Sequence, residues 1–294
     1  MSSVAGHPAA TGHDLDALGL APLRAELRKI RFGMLWWLLL IPAVVVSYLI
    51  SVAGGAIAGL ADTETLRQLG GSFPSLLGVS LSYSAGVTSV FTLCLGVTAY
   101  AGEVRAVTLG ATYVATPSRG AVLAAKLVAY GGLGLVYGVA LMLAATLGGL
   151  TAGGWAAFPP FGEFLAVAVA GTAVVTLWTL IGVAFGALVP LDVLALLAAL
   201  ALRLGVGPLA DALLGRVGAQ PLADLLPGSA SGTLVSRLAT DLVVGRAPLR
   251  SRSAFEEVLP AGALPWWGSG AVFALWVLVA CLAGWWAVRE RDIS

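Results

Sequence analysis

Apolar residues in this chain run in long blocks separated by short polar gaps, and the blocks predict the elements. Residues 34–60, 73–101, 127–150, 164–189, 193–209 and 268–288 each read as a mostly apolar helix. A hydrocarbon core about 30 Å thick takes roughly 20 such residues, so the pattern predicts six transmembrane helices. The fifth, 193–209, is the shortest and contains Arg203. In the last block, Trp266–Trp267 and Trp285–Trp286 lie about 18 residues apart, roughly 27 Å along a helix. That separation fits the two interfaces of one bilayer. The fold class is therefore an all-α polytopic membrane protein.

The gaps carry the polar information. Residues 1–21, with His7 and His13, show no periodic apolar face and read as a mobile tail without a signal-peptide pattern. In PLRAELRKIRF (22–32), Leu23, Leu27 and Ile30 share one face while Arg24, Arg28 and Arg31 share another. This suits an interfacial helix; a plain extension of the first span is the other reading. Residues 102–126, GEVRAVTLGATYVATPSRGAVLAAK, place Glu103, Arg105, Arg119 and Lys126 between two uncharged runs, 68–102 and 127–162. They read as a surface loop. Between the fifth and sixth spans, 210–267 form a mixed segment. After the breaker Pro227–Gly228, its helix SASGTLVSRLATDLVVGR carries Leu234, Leu238 and Leu242 on one face and is expected to re-enter the membrane or cap the bundle.

Composition agrees and narrows the class. Hydrophobic residues make up 59% of the chain and charged residues 11%, which excludes a water-soluble domain. A net charge of +1 leaves no nucleic-acid footprint. Cys94 and Cys281 fall inside apolar blocks and imply no disulfide framework. With six spans, Arg24, Arg28, Lys29, Arg31, Arg105, Arg119, Lys126, Arg289 and Arg291 gather on one side, while the short loops opposite hold only Arg67. The positive-inside rule then sets both termini in the cytoplasm.

Candidate chemistry is sparse. The two lysines follow Arg28 and Ala125, so the Gly-Lys pair of a phosphate-binding loop cannot occur. No ATPase site and no metal cluster are expected on this chain. Ionisable residues are rare in the spans, which weighs against proton coupling. Asp192 is expected at an inner turn, and Arg203 near an interface, where it either snorkels outward or lines a cavity. Ser80, Ser84, Thr88 and Thr92 follow strict i+4 spacing and form one stripe. The stripe reads as a polar substrate path or as helix packing, within the chain or at a subunit interface. Gly55/Gly59, Gly134/Gly138 and Gly182/Gly186 read as packing pairs.

Four segments together resemble a known family. LRAELRKIRFGMLWW, GEVRAVTLGATYVATPSRGAVLAAK, LADLLPGSASGTLVS and FALWVLVACLAGWWAVRERD are similar, in order and spacing, to segments of the membrane permease subunits of ATP-binding cassette transporters of the type-2 exporter class. The resemblance implies a permease dimer, with a second copy or a paralogue, in the cytoplasmic membrane of a bacterium. It also implies a separate cytosolic ATPase subunit that binds ATP and magnesium, leaving no cofactor on this chain. By position it assigns Glu103, Arg105, Thr108, Pro117, Ser118, Arg119 and Lys126 to a loop that couples to that ATPase, assisted by Arg24 and Arg28 of the amino-terminal helix. The implied cargo is an apolar or amphipathic small molecule such as a drug, an antibiotic or a lipid-like compound, with membrane lipid as the other partner. Two further classes stand beside this one: a secondary carrier or channel without an ATPase, and a non-transporting anchor or immunity subunit.

Overall fold

A computed structural model describes residues 21–61, 77–105, 119–154, 159–189, 191–244 and 264–290. Among the described residues all regular structure is helical. The helices are α1 (Ala21–Phe32), α2 (Leu35–Ala61), α3 (Leu77–Arg105), α4 (Arg119–Gly153), α5 (Phe161–Leu188) and α6 (Asp192–Leu200). A π-helical turn, Ala201–Val206, joins α6 to α7 (Gly207–Arg216); α8 (Gln220–Ala223), α9 (Pro227–Val244) and α10 (Trp266–Glu290) follow. Six segments are long and apolar enough to cross a membrane, with α6, the π turn and α7 counting as one of 25 residues. The chain is a multi-pass membrane protein.

The interior is built by close approach of helix backbones. A methyl group on Gly96 would sit 2.2 Å from the Thr179 carbonyl, and one on Gly186 would sit 2.4 Å from the Val97 carbonyl. Glycine is therefore required where α3 and α5 meet, because any side chain would force the backbones apart. Gly134 and Gly138 do the same for α4 against Thr179 and Thr172 of α5. The side-chain surroundings of Gly55 and Gly59 lie outside the described residues. Away from this seam the surface is apolar: Leu38, Ile41, Val45 and Leu49 of α2, and Leu275, Leu278 and Leu282 of α10, are all exposed. In a chain this poor in charge, such a belt is the face offered to lipid.

The structure revises the boundaries in two places. The helices α3 and α4 run to Arg105 and from Arg119, so the expected loop 102–126 is helical at both ends. Glu103 and Lys126 do not break the helices because they pair with each other, as described below. The fifth span extends to Arg216 instead of stopping near 209. It passes through the π turn, where the Gly207 N–H reaches back to the Leu202 carbonyl just before Pro208, which has no N–H to continue the ladder. Arg203 thus stands eleven residues after Asp192 and thirteen before Arg216, in the middle of the span and not near an end.

Of the two placements expected for α9, re-entrant or capping, the structure shows the helix packed inside the bundle. Ala230, Leu234, Val235, Leu238 and Ala239 are buried in the main core. Trp178, seventeen residues into α5, donates its indole N–H to Ser231 at 3.2 Å. Trp276, ten residues into α10, donates to the Leu225 carbonyl at 2.8 Å. The turn before α9 therefore lies at the mid-height of two spanning helices, so the segment re-enters the bundle.

Candidate functional site

Two polar constellations interrupt the apolar interior. The first sits at the α1 end of the bundle. Glu26 and Lys29 are three positions apart on α1, Glu103 ends the apolar run of α3, and Lys126 lies two turns into α4. The Lys126 ammonium is fully buried, and its three protons go to Glu26 Oε2 at 2.9 Å, Glu103 Oε1 at 2.6 Å and the Ala99 carbonyl at 3.0 Å. Lys29 Nζ closes the ring, at 2.8 Å from Glu26 Oε1 and 2.7 Å from Glu103 Oε1. Two carboxylates and two ammonium groups leave the cluster neutral, which makes the burial of Glu26 and Lys126 tolerable, while Lys29 keeps part of its surface in solvent.

Burial pushes the Lys29 ammonium down, but the bonds to Glu103 and Glu26 outweigh it and raise its pKa above the usual lysine value. The cluster ties three elements at one point: α1, the end of α3 and the start of α4. The helix α1 was expected to turn Leu23, Leu27 and Ile30 toward the membrane interface, and its tie to the bundle was not foreseen. Glu26 is its buried residue, at 2% exposure, and Leu27 is half exposed. Glu26 is the single acid between Asp16 and Asp62. That isolation in a basic helix was the available signal.

These contacts sort the expected coupling residues. Lys126 is corrected: with zero exposure and all its protons used, it cannot touch a partner and serves as an internal tie. Glu103 is largely committed to the same cluster. Arg24 and Arg28 are exposed on α1. Arg105 and Arg119 are the residues at which α3 ends and α4 begins. Thr108, Pro117 and Ser118 lie outside the described residues.

The Ser/Thr stripe of α3 is packing within the chain, and the substrate-path and subunit-interface readings are corrected. Ser80, Ser84, Thr88 and Thr92 are all buried. Ser84 donates to Ser47 at 2.6 Å, because the Ser47 proton is used on the Leu141 carbonyl at 2.7 Å. Thr88 donates back to the Ser84 carbonyl and Thr92 reaches the Val175 carbonyl of α5 at 3.2 Å. A methyl on Gly54 would sit 2.3 Å from Ser80 Oγ, so Ser80 also packs against α2.

The second constellation is the mid-height cavity of about 430 Å³ walled by α3, α5, α6, the π turn, α7, the turn into α9, and α10. Arg203 projects into it from the π turn, a geometry often found where function needs it. Its Nη2 donates to the Gly86 carbonyl at 2.8 Å and Ser89 Oγ at 3.3 Å, and its guanidinium stacks 4.8 Å from the Trp178 ring centroid. Nε is buried without a partner, and among the described residues no carboxylate pairs with this charge. A lone guanidinium at mid-span costs about 2.5–3.5 kcal/mol. Trp178, Phe185, Trp276 and Asp211 share the cavity wall. Sequence alone had no means to assemble them, since they come from three spans.

No group of His, Cys, Asp and Glu residues suited to a metal occurs among the described residues. Family models and curated proteins were both compared with the chain, and none matches.

Proposed function

We propose that this chain is the permease subunit of an ATP-driven exporter, worked by a separate ATPase that docks at the α1 end. The observation that carries the reading is the buried cluster of Glu26, Lys29, Glu103 and Lys126. A surface helix is riveted to the ends of two spans that flank residues 106–118. Force applied to α1 or to that segment therefore moves α3 and α4 together, because pulling α1 away would strand the buried charges of Glu26 and Lys126. A protein with no phosphate-binding loop needs such a lever if ATP is to drive it. In this reading the α1 end faces the cytoplasm, as the basic residues predict, and a second permease copy completes the assembly in a bacterial cytoplasmic membrane. An apolar or amphipathic cargo suits spans with so few fixed charges.

The test is co-purification with the Walker-type ATPase encoded beside this chain, if one is. Glu103 is a poor probe, because reversing its charge would break the rivet. Arg24→Glu with Arg28→Glu changes exposed charges only. The double variant should keep its unfolding temperature and lose most ATPase binding and ATP-dependent efflux. Unchanged binding and efflux would remove the coupling assignment.

A further inference from the structure

The Arg203 cavity has three properties that together specify a ligand. Its volume of about 430 Å³ falls in the range of small-molecule sites. Its wall is mainly apolar and aromatic, with Trp178 and Phe185 from α5 and Trp276 from α10. Its one cation is fixed: Nη2 is held by α3 and the ring of Trp178 lies under the guanidinium, so Arg203 cannot swing away to the surface. The remaining donors, Nε and Nη1, have no hydrogen-bond partner among the described residues. Nη1 runs beside the backbone of Gly228, where an added methyl would lie 3.9 Å away.

A fixed, unneutralised cation beside an apolar space is complementary to an anion carrying an apolar body. Asp211, which also lines the cavity, accepts from Ser229 at 2.9 Å and lies eight residues beyond Arg203, with which it makes no ion pair. It repels an anion at its own end and so favours one orientation, with the negative head on Arg203. We propose that this cavity binds a small amphipathic carboxylate. Its head pairs with Arg203 and its chain or ring lies among Trp178, Phe185 and Trp276. The site needs no ATPase and no second copy, so it stands or falls apart from the exporter reading.

The probe is bromine-labelled dodecanoate, read by quenching of tryptophan fluorescence in neutral phosphatidylcholine nanodiscs, with the labelled alcohol and primary amine of equal chain length as comparisons. The protein should bind dodecanoate at least tenfold more tightly than either comparison. Arg203→Gln should weaken dodecanoate about tenfold or more and leave the alcohol unchanged. Ala280→Phe, which fills the cavity from α10 without touching the charge, should weaken all three, and it decides the matter if Arg203→Gln fails to fold. Equal affinity for the three probes, or dodecanoate binding unchanged in Ala280→Phe, overturns the proposal. Loss of dodecanoate binding on replacing the lipid by phosphatidylglycerol, restored by dilution into phosphatidylcholine, would overturn the carboxylate in favour of a phospholipid headgroup.

Discussion

The Lys126 ammonium, with no solvent exposure, lies 2.9 Å from Glu26, a residue one hundred positions earlier in the chain. Glu26 belongs to the surface helix α1 and Lys126 to a spanning helix. The bond makes a peripheral element part of the bundle. Without Lys126, Glu26 and Glu103 would face each other with only Lys29 between them. Lys126→Met should therefore cost about 3–5 kcal/mol, the range for breaking a buried ion pair from one side. Unfolding in nanodiscs followed by tryptophan fluorescence, with trypsin cleavage after Arg28 as a second readout, should show α1 released first.

Lys29 gives the cluster a pH limit. Its pKa is raised, so the stability it contributes is fully present below the ordinary lysine value of 10.5 and is lost as pH climbs through the higher folded value. Its side chain is 39% exposed, so solvent screening keeps this contribution small. Protease susceptibility of α1 should rise above pH 10.5, and the rise should be shallower in Lys29→Gln. Identical profiles for the two proteins would contradict the bond to Glu103.

The glycine seam predicts opposite outcomes at two similar residues. Gly182→Val places a branched side chain 2.4 Å from the Leu93 carbonyl and should cost about 3 kcal/mol or more. Gly132 meets nothing within 4 Å, so Gly132→Ala should be neutral or stabilise by about 0.5–1 kcal/mol through helix propensity alone. Paired unfolding temperatures measure the contrast.

The Ser47–Ser84 bond predicts a structural effect without a change in ligand binding. Ser84→Ala removes one donor and should lower stability by about 1 kcal/mol. Dodecanoate binding at the Arg203 cavity should stay within a factor of two. A tenfold loss would show that the stripe reaches the cavity after all.

How much of this was legible follows from what each feature depends on. Six spans, the amphipathic α1 and the packing roles of Gly134, Gly138, Gly182 and Gly186 could be read locally. Apolar length and small-residue spacing act within one helix or one helix face. The breaker at Pro227–Gly228 likewise announced the start of α9. The ends of α3 and α4 were misjudged because charge was taken as a sign of a loop. Glu103 and Lys126 remain helical because each neutralises the other, and that pairing is visible only in space.

The sequence by itself determined that this is a helical, multi-span membrane protein whose chain cannot hold the Gly-Lys pair of a phosphate-binding loop. Only the tertiary structure decided which polar residues are ties and which are open to a ligand. It put Lys126 among carboxylates from two other helices and the Ser/Thr stripe against carbonyls of its neighbours. It left Arg203 at mid-span without a carboxylate. In an apolar interior every buried charge must find a partner or mark a site. The partner's identity depends on which helices pack side by side, and hydropathy does not specify that.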